Sequence, residues 1–511
     1  MNIYLLGCAF IYGQKIGMSY SASGIEFEAE NGFEVLLTAD KCGELADGEI
    51  HYPRYALFCD GEMVRDSRIV KNRERVICIV EKQETAAETT DRQEHEGYRT
   101  DNPETAAETT DMQECEGCRT DALETAAETT ENQVTVIRTA AGVHSYKLIK
   151  LSESADSTMF VEFISAGGRM VHTENGIDTG RGTACPEQEN GAGLNDTDCK
   201  KYKQVSANCR EYDQKLDTTI SFVEYRKTPG RLLIEYIGDS ITCGYGVEGK
   251  LSPEDHYTTA TENCTKAYAY LSAGLLDADC RLVSKSGSGI ISGYTGDGIR
   301  NAMNLLAPVY DRVGCSWAPF EDGVFPADVA RNGDVEPDIT VINLGTNDVS
   351  YCYPAMGFNV ENISEEEKNS IINEFVKNEA ENAVQTATDD DRKASESLKK
   401  LLEEPKAQDF IRKLRCDLFY REYRKFLLRI RKKYPATTII STKGIMNTEL
   451  NDVVERALND SKKEDIGENA FFYAFKLYDT ENDGIGTDYH PSEISQRKAA
   501  AELVDFIQSV R

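Results

Sequence analysis

From Leu232 to the end of the chain, five short apolar runs alternate with segments of helical pattern, and few folds accept that order. The runs are 232–237, 280–284, 338–344, 437–441 and 471–475. Helical patterns cover 263–276, 415–434, 449–458 and 492–507. In the second of these, Leu418, Phe419, Tyr423, Phe426, Leu427 and Ile430 share one face of a 3.6-residue period, and Pro435 closes it. Strands that alternate with helices build a parallel sheet with helices on both faces. Such a sheet places its ligands at the carboxyl edge of the strands.

The chain before Leu232 reads differently. Short strand runs at 25–29, 33–37, 55–59, 75–80, 134–137, 145–151 and 159–164 are separated by Gly, Asp and polar turns. That pattern predicts a β-sandwich, with residues 1–8 as a first strand and 219–225 as a last one. An internal repeat interrupts it. Glu84-Thr85-Ala86-Ala87-Glu88-Thr89-Thr90 returns at 104–110 and 124–130. The repeat holds almost no large apolar residue, so it cannot offset its own ordering entropy, and 84–133 reads as a mobile acidic insertion. The expected division is a sandwich over 1–170, a polar insertion or linker over 171–218, and an α/β unit over 219–511. Within the last, 219–230 is a strand lead-in and 361–410 a charged surface insertion.

Charge and composition exclude several functions. The 511 residues carry a net charge of −31, which argues against nucleic acid and anionic membrane surfaces as partners. No run approaches the roughly 18 apolar residues of a membrane span. The start has no basic region and no apolar segment long enough for a secretory signal, so a cytoplasmic setting is expected, with an unusual export route left open. Fifteen cysteines without a framework fit reduced thiols. The lone Cys115-Glu116-Gly117-Cys118 lacks a second ligand pair, so no metal is expected, and oligomeric state is left undefined.

Four short motifs fall at or just after predicted strand ends or before the last helix. Gly238-Asp239-Ser240 ends the first run and Ser286-Gly287-Ser288-Gly289 follows the second. Gly345-Thr346-Asn347-Asp348 ends the third, and Asp488-Tyr489-His490-Pro491 precedes the last helix. Together they supply the parts for acyl transfer. Ser240 would attack a carbonyl carbon and His490 would take its proton. The Ser240 and Gly287 backbone N–H groups and the Asn347 amide would hold the oxyanion, each donor contributing on the order of 3 kcal/mol. A helix opening at Ser240 would add a positive dipole end. Each motif also has a plain reading: Asp239 and Ser240 as helix caps, Asn347 and Asp348 as turn residues, His490 as a loop histidine.

This order of motifs resembles the SGNH hydrolases, also called the GDSL family. The longer run Ile237-Gly238-Asp239-Ser240-Ile241-Thr242-Cys243-Gly244-Tyr245-Gly246 is similar to carbohydrate esterase family 2, as are 341–348, 426–435 and, in the sandwich, 142–151. The resemblance implies a flavodoxin-like three-layer SGNH domain with five parallel strands behind an N-terminal jelly-roll sandwich. It implies removal of acetyl groups from sugar hydroxyls of plant cell-wall-type oligosaccharides or polysaccharides, with no cofactor. Most SGNH enzymes carry an aspartate three residues before the histidine. Here Thr487 holds that place, and Asp488 lies two before, a spacing that family 2 relatives share. Either Asp488 completes a triad, or a Ser–His dyad works with a backbone carbonyl on the imidazole. Tyr489 stands where relatives often have Trp and is a candidate sugar platform; the chain's one tryptophan, Trp317, lies between the second and third strands. Two other readings remain at this point: a lipase, thioesterase or lysophospholipase acting on another acyl group, and a non-catalytic carbohydrate-binding protein.

Overall fold

A computed structural model describes residues 2–511 except 31, 41–50, 70–72, 81–117, 120–132, 156, 167–221, 226, 253–255, 317, 332–334 and 377–397. The 171–218 segment, Cys115, Trp317 and nearly all of the acidic repeat lie outside the described residues. Among the described residues, no helix is long and apolar enough to cross a membrane.

Five parallel strands form the central sheet: β1 (Leu233–Gly238), β2 (Asp279–Ser284), β3 (Ile339–Asn343), β4 (Thr438–Lys443) and β5 (Ala470–Ala474). Their order is β2-β1-β3-β4-β5, the flavodoxin-like arrangement, in which the chain reverses direction across β1 and β3. All six residues of β1 and all five of β3 are buried. Covered on both faces, these strands read as continuous apolar runs rather than alternating ones. Helices α1 (Ser240–Cys243), α2 (Tyr268–Leu275), α3 (Thr346–Cys352), α4 (Glu365–Ile371), α5 (Pro405–Lys433), α6 (Asn451–Ser461) and α7 (Glu493–Val510) accompany the sheet. One core beside the sheet holds Ile237, Val283, Ile342, Phe419, Tyr423, Phe426, Leu427 and Ile430, so the predicted stripe of α5 is the face it buries. The other holds Ile234, Tyr236, Val341, Tyr268, Leu503 and Ile507.

Helix α5 begins at Pro405 rather than near 415, with proline in the first turn where no hydrogen bond is lost. Its extra turns, with Phe358, Ile363, Ile371, Leu398 and Leu402, enclose a small apolar cluster around Ile411. The charged stretch expected as a surface insertion therefore packs in part.

The N-terminal region is two sheets around one core. Six strands run in the order 222–225, 2–6, 24–30, 143–150, 54–59 and 62–68. Seven run 10–12, 15–18, 159–166, 33–39, 73–80, 133–139 and 118–119. Pairing is antiparallel except for 2–6 with 222–225 and 73–80 with 133–139. Ile3, Phe27, Leu57, Tyr146 and Leu148 from one sheet meet Val35, Leu37, Val76, Cys78 and Val161 from the other.

The two regions are joined by packing and charge. Cys8 and Tyr20 enter the first α/β core, and Ala22, Ala56, Ile149 and Leu151 the second. Arg54, 8% exposed, pairs with Asp66 on its own sheet and with Glu248 beyond the nucleophile turn. It also donates to the carbonyls of Ala260 at 3.0 Å and Glu262 at 2.9 Å.

Candidate active site

β1 delivers Ser240 to the carboxyl edge of the sheet. Asp239 takes the capping role, its Oδ1 accepting the Ile241 N–H at 3.2 Å, and burial raises its carboxyl to about 7. That leaves Ser240 as the first helical residue, 5% exposed. A first-turn N–H has no partner inside its helix, and among the described residues the Ser240 N–H makes no hydrogen bond. Helix α1 ends after four residues because Gly244 turns to φ 82°, where a side chain would lie 2.4 Å from the Asn263 carbonyl oxygen. So short a helix carries little macrodipole, and the expected dipole contribution reduces to the free N–H.

The loop after β2 brings Gly287 beside this turn. Lys285 donates its N–H to the Gly238 carbonyl at 3.2 Å, and Ser286 donates to Glu153 Oε2 at 2.6 Å. Gly287 sits at φ 68°, a left-handed conformation that glycine adopts without strain, and its N–H also makes no hydrogen bond among the described residues. Asp348 fastens the next turn. Its Oδ1 accepts the N–H groups of Ile290 at 3.1 Å, Ile291 at 2.7 Å and Ser292 at 3.0 Å. Burial raises the Asp348 pKa while these three donors oppose the shift.

Asn347 lies in the first turn of α3 and clamps two loops. Its Nδ2 donates to the Ser288 carbonyl at 2.8 Å and toward Asp239 Oδ2 at 3.3 Å. The first contact fixes the amide. The second is long, so that hydrogen is the one an oxyanion would draw.

His490 arrives from the other side on the turn Thr487–Tyr489. The Thr487 N–H donates to the Gly246 carbonyl at 3.0 Å, which ties this turn to the segment after the nucleophile. Asp488 at φ 52° and Tyr489 at φ 63° are both left-handed, a conformation costing roughly 1–2 kcal/mol per non-glycine residue. The twist points backbone oxygens at the imidazole: Nδ1 lies 3.2 Å from the Thr487 oxygen and 3.1 Å from the Asp488 oxygen. The Asp488 carboxylate is elsewhere, accepting the Tyr245 hydroxyl at 2.7 Å. The groups within hydrogen-bond distance of Nδ1 are thus two backbone oxygens and not the Asp488 carboxylate. Carbonyl acceptors require Nδ1 to carry the proton, which leaves the Nε2 lone pair as base. Burial lowers the His490 pKa to about 4, against the pull of the two carbonyls. Tyr489 is 63% exposed, and its carbonyl accepts the Tyr478 hydroxyl at 2.9 Å.

Several neighbours had no role in the sequence reading. Tyr245 stood in the glycine-spaced run, but nothing there indicated that its ring lies 4.4 Å from that of His490. Asp348 was legible only as a turn residue beside Asn347. Glu153 gave no signal: it comes from the sandwich side, far earlier in the chain, and holds the loop of Gly287.

Comparison with known proteins bears on the fold that carries this site. A 117-residue stretch is 37% identical to the cellulase/esterase CelE of Acetivibrio thermocellus, covering 23% of this chain and 13% of that protein. Another of 121 residues is 34% identical to an acetylxylan esterase / glucomannan deacetylase of Cellvibrio japonicus, covering 23% of this chain and 29% of that protein. The matched stretches thus span less than a third of either curated relative. In fold, the chain is similar to the acetyl xylan esterase Est2A of Butyrivibrio proteoclasticus, with TM-score 0.57, 16% identity and coverage of 99% and 94% of the two chains. It is also similar to an active-site mutant of a family two carbohydrate esterase from Clostridium thermocellum, with TM-score 0.55, 16% identity and coverage of 99% and 98%. The profile of the GDSL-like Lipase/Acylhydrolase family matches residues 234–503, more than half of the chain, a span that includes Ser240, Gly287, Asn347 and His490, and the chain belongs to that family.

Proposed function

We propose that the protein is a serine esterase that removes acetyl groups from sugar hydroxyls through an acetyl–Ser240 intermediate. One observation carries the reading: N–H groups on Ser240 and Gly287 that make no hydrogen bond among the described residues lie at the strand edge to which His490 is tied through the Gly246–Thr487 contact. Ser240 Oγ attacks the acetyl carbonyl carbon as His490 Nε2 takes its proton. The negative oxygen is received by the two backbone N–H groups and the Asn347 amide. Collapse of the tetrahedral adduct expels the sugar oxygen, which takes the proton from His490. Water, deprotonated by the same nitrogen, then releases acetate. Asp488 acts here through its backbone oxygen. The acetyl and sugar assignments rest on the relatives, an acetylxylan esterase / glucomannan deacetylase among them. The finer architecture follows the same reading: a jelly-roll sandwich over 1–170, a polar insertion or linker over 171–218, and a hydrolase unit over 219–511 whose lead-in strand, 222–225, is lent to the edge of the N-terminal sheet.

Acetate and octanoate esters of one chromogenic alcohol separate this reading from a lipase or thioesterase. Turnover is expected to be faster on acetate; turnover that rises with chain length contradicts the assignment. Tyr489, exposed beside the base, is the proposed sugar contact. Tyr489→Ala is expected to raise KM for an acetylated oligosaccharide while leaving KM for a small acetate ester near its original value.

The pH profile has a defined sign. The base works neutral, and its pKa lies below the ordinary histidine value because of burial. On the acid side, kcat/KM is therefore expected to hold from pH 7 down past 6 and to fall only as pH approaches about 4. Folding follows the same linkage. The unfolded chain binds a proton on this histidine at higher pH than the folded one, so the His490 contribution to stability declines as pH drops below about 6.5. An acid limb near pH 6.5–7 in kcat/KM would contradict the burial argument.

A further inference from the structure

The Tyr245 hydroxyl donates to Asp488 Oδ2 at 2.7 Å, and its ring lies 4.4 Å from the His490 ring at 39°. Tyr245 is also stacked on Tyr257 at 3.9 Å and 5°. Tyr257 is anchored in turn, its hydroxyl donating to Glu262 Oε2 at 2.7 Å and its ring 5.3 Å from that of His51. Glu262 Oε2 also accepts the Glu153 N–H at 3.0 Å, and Glu153 holds the loop of Gly287. An aromatic column thus runs from the sandwich to the base, and Tyr245 is its last member.

We propose that Tyr245 is a positioning residue for this site: its hydroxyl holds the Asp488 carboxylate off the imidazole while its ring fixes the imidazole plane, so that His490 is oriented by backbone oxygens. The proposal rests on the esterase reading above.

Two physical points support it. The left-handed pair at Asp488 and Tyr489 persists only if its surroundings hold it, and strain of this kind costs about 1–3 kcal/mol per residue. Three contacts do so: Tyr245 to the Asp488 carboxylate, Tyr478 to the Tyr489 carbonyl and Thr487 to the Gly246 carbonyl. Of these, only the first also decides where a carboxylate goes. An Asp488 carboxylate released from the phenol is two residues from an imidazole and free to compete for Nδ1. The charged and titratable groups facing the ring are then Asp488 from its own turn and Tyr245 from the segment after α1.

The test is a double-mutant cycle with Tyr245→Phe, which keeps the ring and removes only the hydroxyl, and Asp488→Ala. Tyr245→Phe is expected to lower kcat about tenfold on an acetate ester, with KM little changed, because misplacing a catalytic group by a fraction of an ångström has effects of this size. Its acid limb in kcat/KM should move to higher pH, since a carboxylate near Nδ1 stabilises the imidazolium. Asp488→Ala should also lose about tenfold in kcat, and the double variant no more than either alone, because both remove one interaction. In the Asp488→Ala background, removing the phenol hydroxyl should leave the acid limb where it is. Unfolding midpoints of all variants are measured alongside, and Tyr245→Trp, a ring without the hydroxyl, should not restore kcat. Wild-type kcat and acid limb in Tyr245→Phe, or losses that multiply in the double variant, overturn the proposal. Ser240→Ala separates the two levels: if it is inactive while Tyr245→Phe is unchanged, only the positioning role fails; if it stays active, the esterase reading fails as well.

Discussion

Ser240→Ala is expected to lower kcat for an acetate ester by at least about 10⁴-fold while leaving the fold intact. The loss is large because the proposed reaction runs through a covalent bond to Ser240 Oγ. The neighbouring Thr242 and Cys243 sit on the same short helix, but both are fully buried, with the Cys243 thiol pushed well above its ordinary pKa by burial. The oxyanion donors remain in the variant, so residual rate above water comes from them alone. Folding should survive, since Asp239 rather than Ser240 caps the helix and the Ser240 backbone carbonyl still accepts from Gly244 and Tyr245. The measurement is kcat with matched circular dichroism. Turnover within about tenfold of wild type would remove Ser240 from the mechanism.

Glu235→Ala is expected to produce the largest loss of stability. Glu235 lies on β1, five residues before the nucleophile, with none of its surface exposed. Its Oε1 accepts from Arg281 Nε at 2.9 Å and from Arg331 at 3.2 Å, and its Oε2 from the Tyr310 hydroxyl at 2.5 Å. The network reaches the sandwich, because Arg331 also contacts Cys8 Sγ at 3.1 Å. Removing the carboxylate takes from two buried guanidinium groups the charge that they share. Breaking one partner out of a buried ion pair costs about 3–5 kcal/mol, and here two pairs share that partner. Glu235→Gln keeps the acceptor oxygen and the shape, so it should lose less. Urea unfolding of the three proteins checks the order; a loss below about 1 kcal/mol for Glu235→Ala would mean that water replaces the carboxylate.

Much of the α/β region was legible because its strands are apolar on both faces and its motifs fall where strands end. All five parallel strands lie within one or two residues of the expected positions. The reason is physical: a strand buried on both sides has no polar face to blur its limits. The sandwich was less legible. Strand 62–68 is mostly exposed, and the hairpin 10–12 and 15–18 is too short to show alternation. Helix α5 was cut short because Lys, Glu and Asp dominate 361–410, which hid the apolar cluster of Phe358, Ile371, Leu402 and Ile411.

At the site, the positions of Ser240, Gly287, Asn347 and His490 could be read from the sequence because each sits at a strand edge or before a helix. Where the Asp488 carboxylate points could not. Its direction follows from a left-handed backbone at Asp488 and a hydroxyl on Tyr245, two facts with no local sequence signature. Glu153 illustrates the same limit: a polar residue between serines becomes the anchor of the Gly287 loop only when two regions pack.

The most direct test is to trap the covalent intermediate. The protein is acid-quenched during turnover of a chromogenic acetate ester, digested and mapped by mass spectrometry, with His490→Ala run in parallel. One acetyl group is expected, carried by Ser240, on the peptide that holds Gly238-Asp239-Ser240, and none on that peptide in His490→Ala. Steady turnover with an acetyl group on another residue, or with Ser240 unmodified under conditions where deacylation limits the rate, would contradict it.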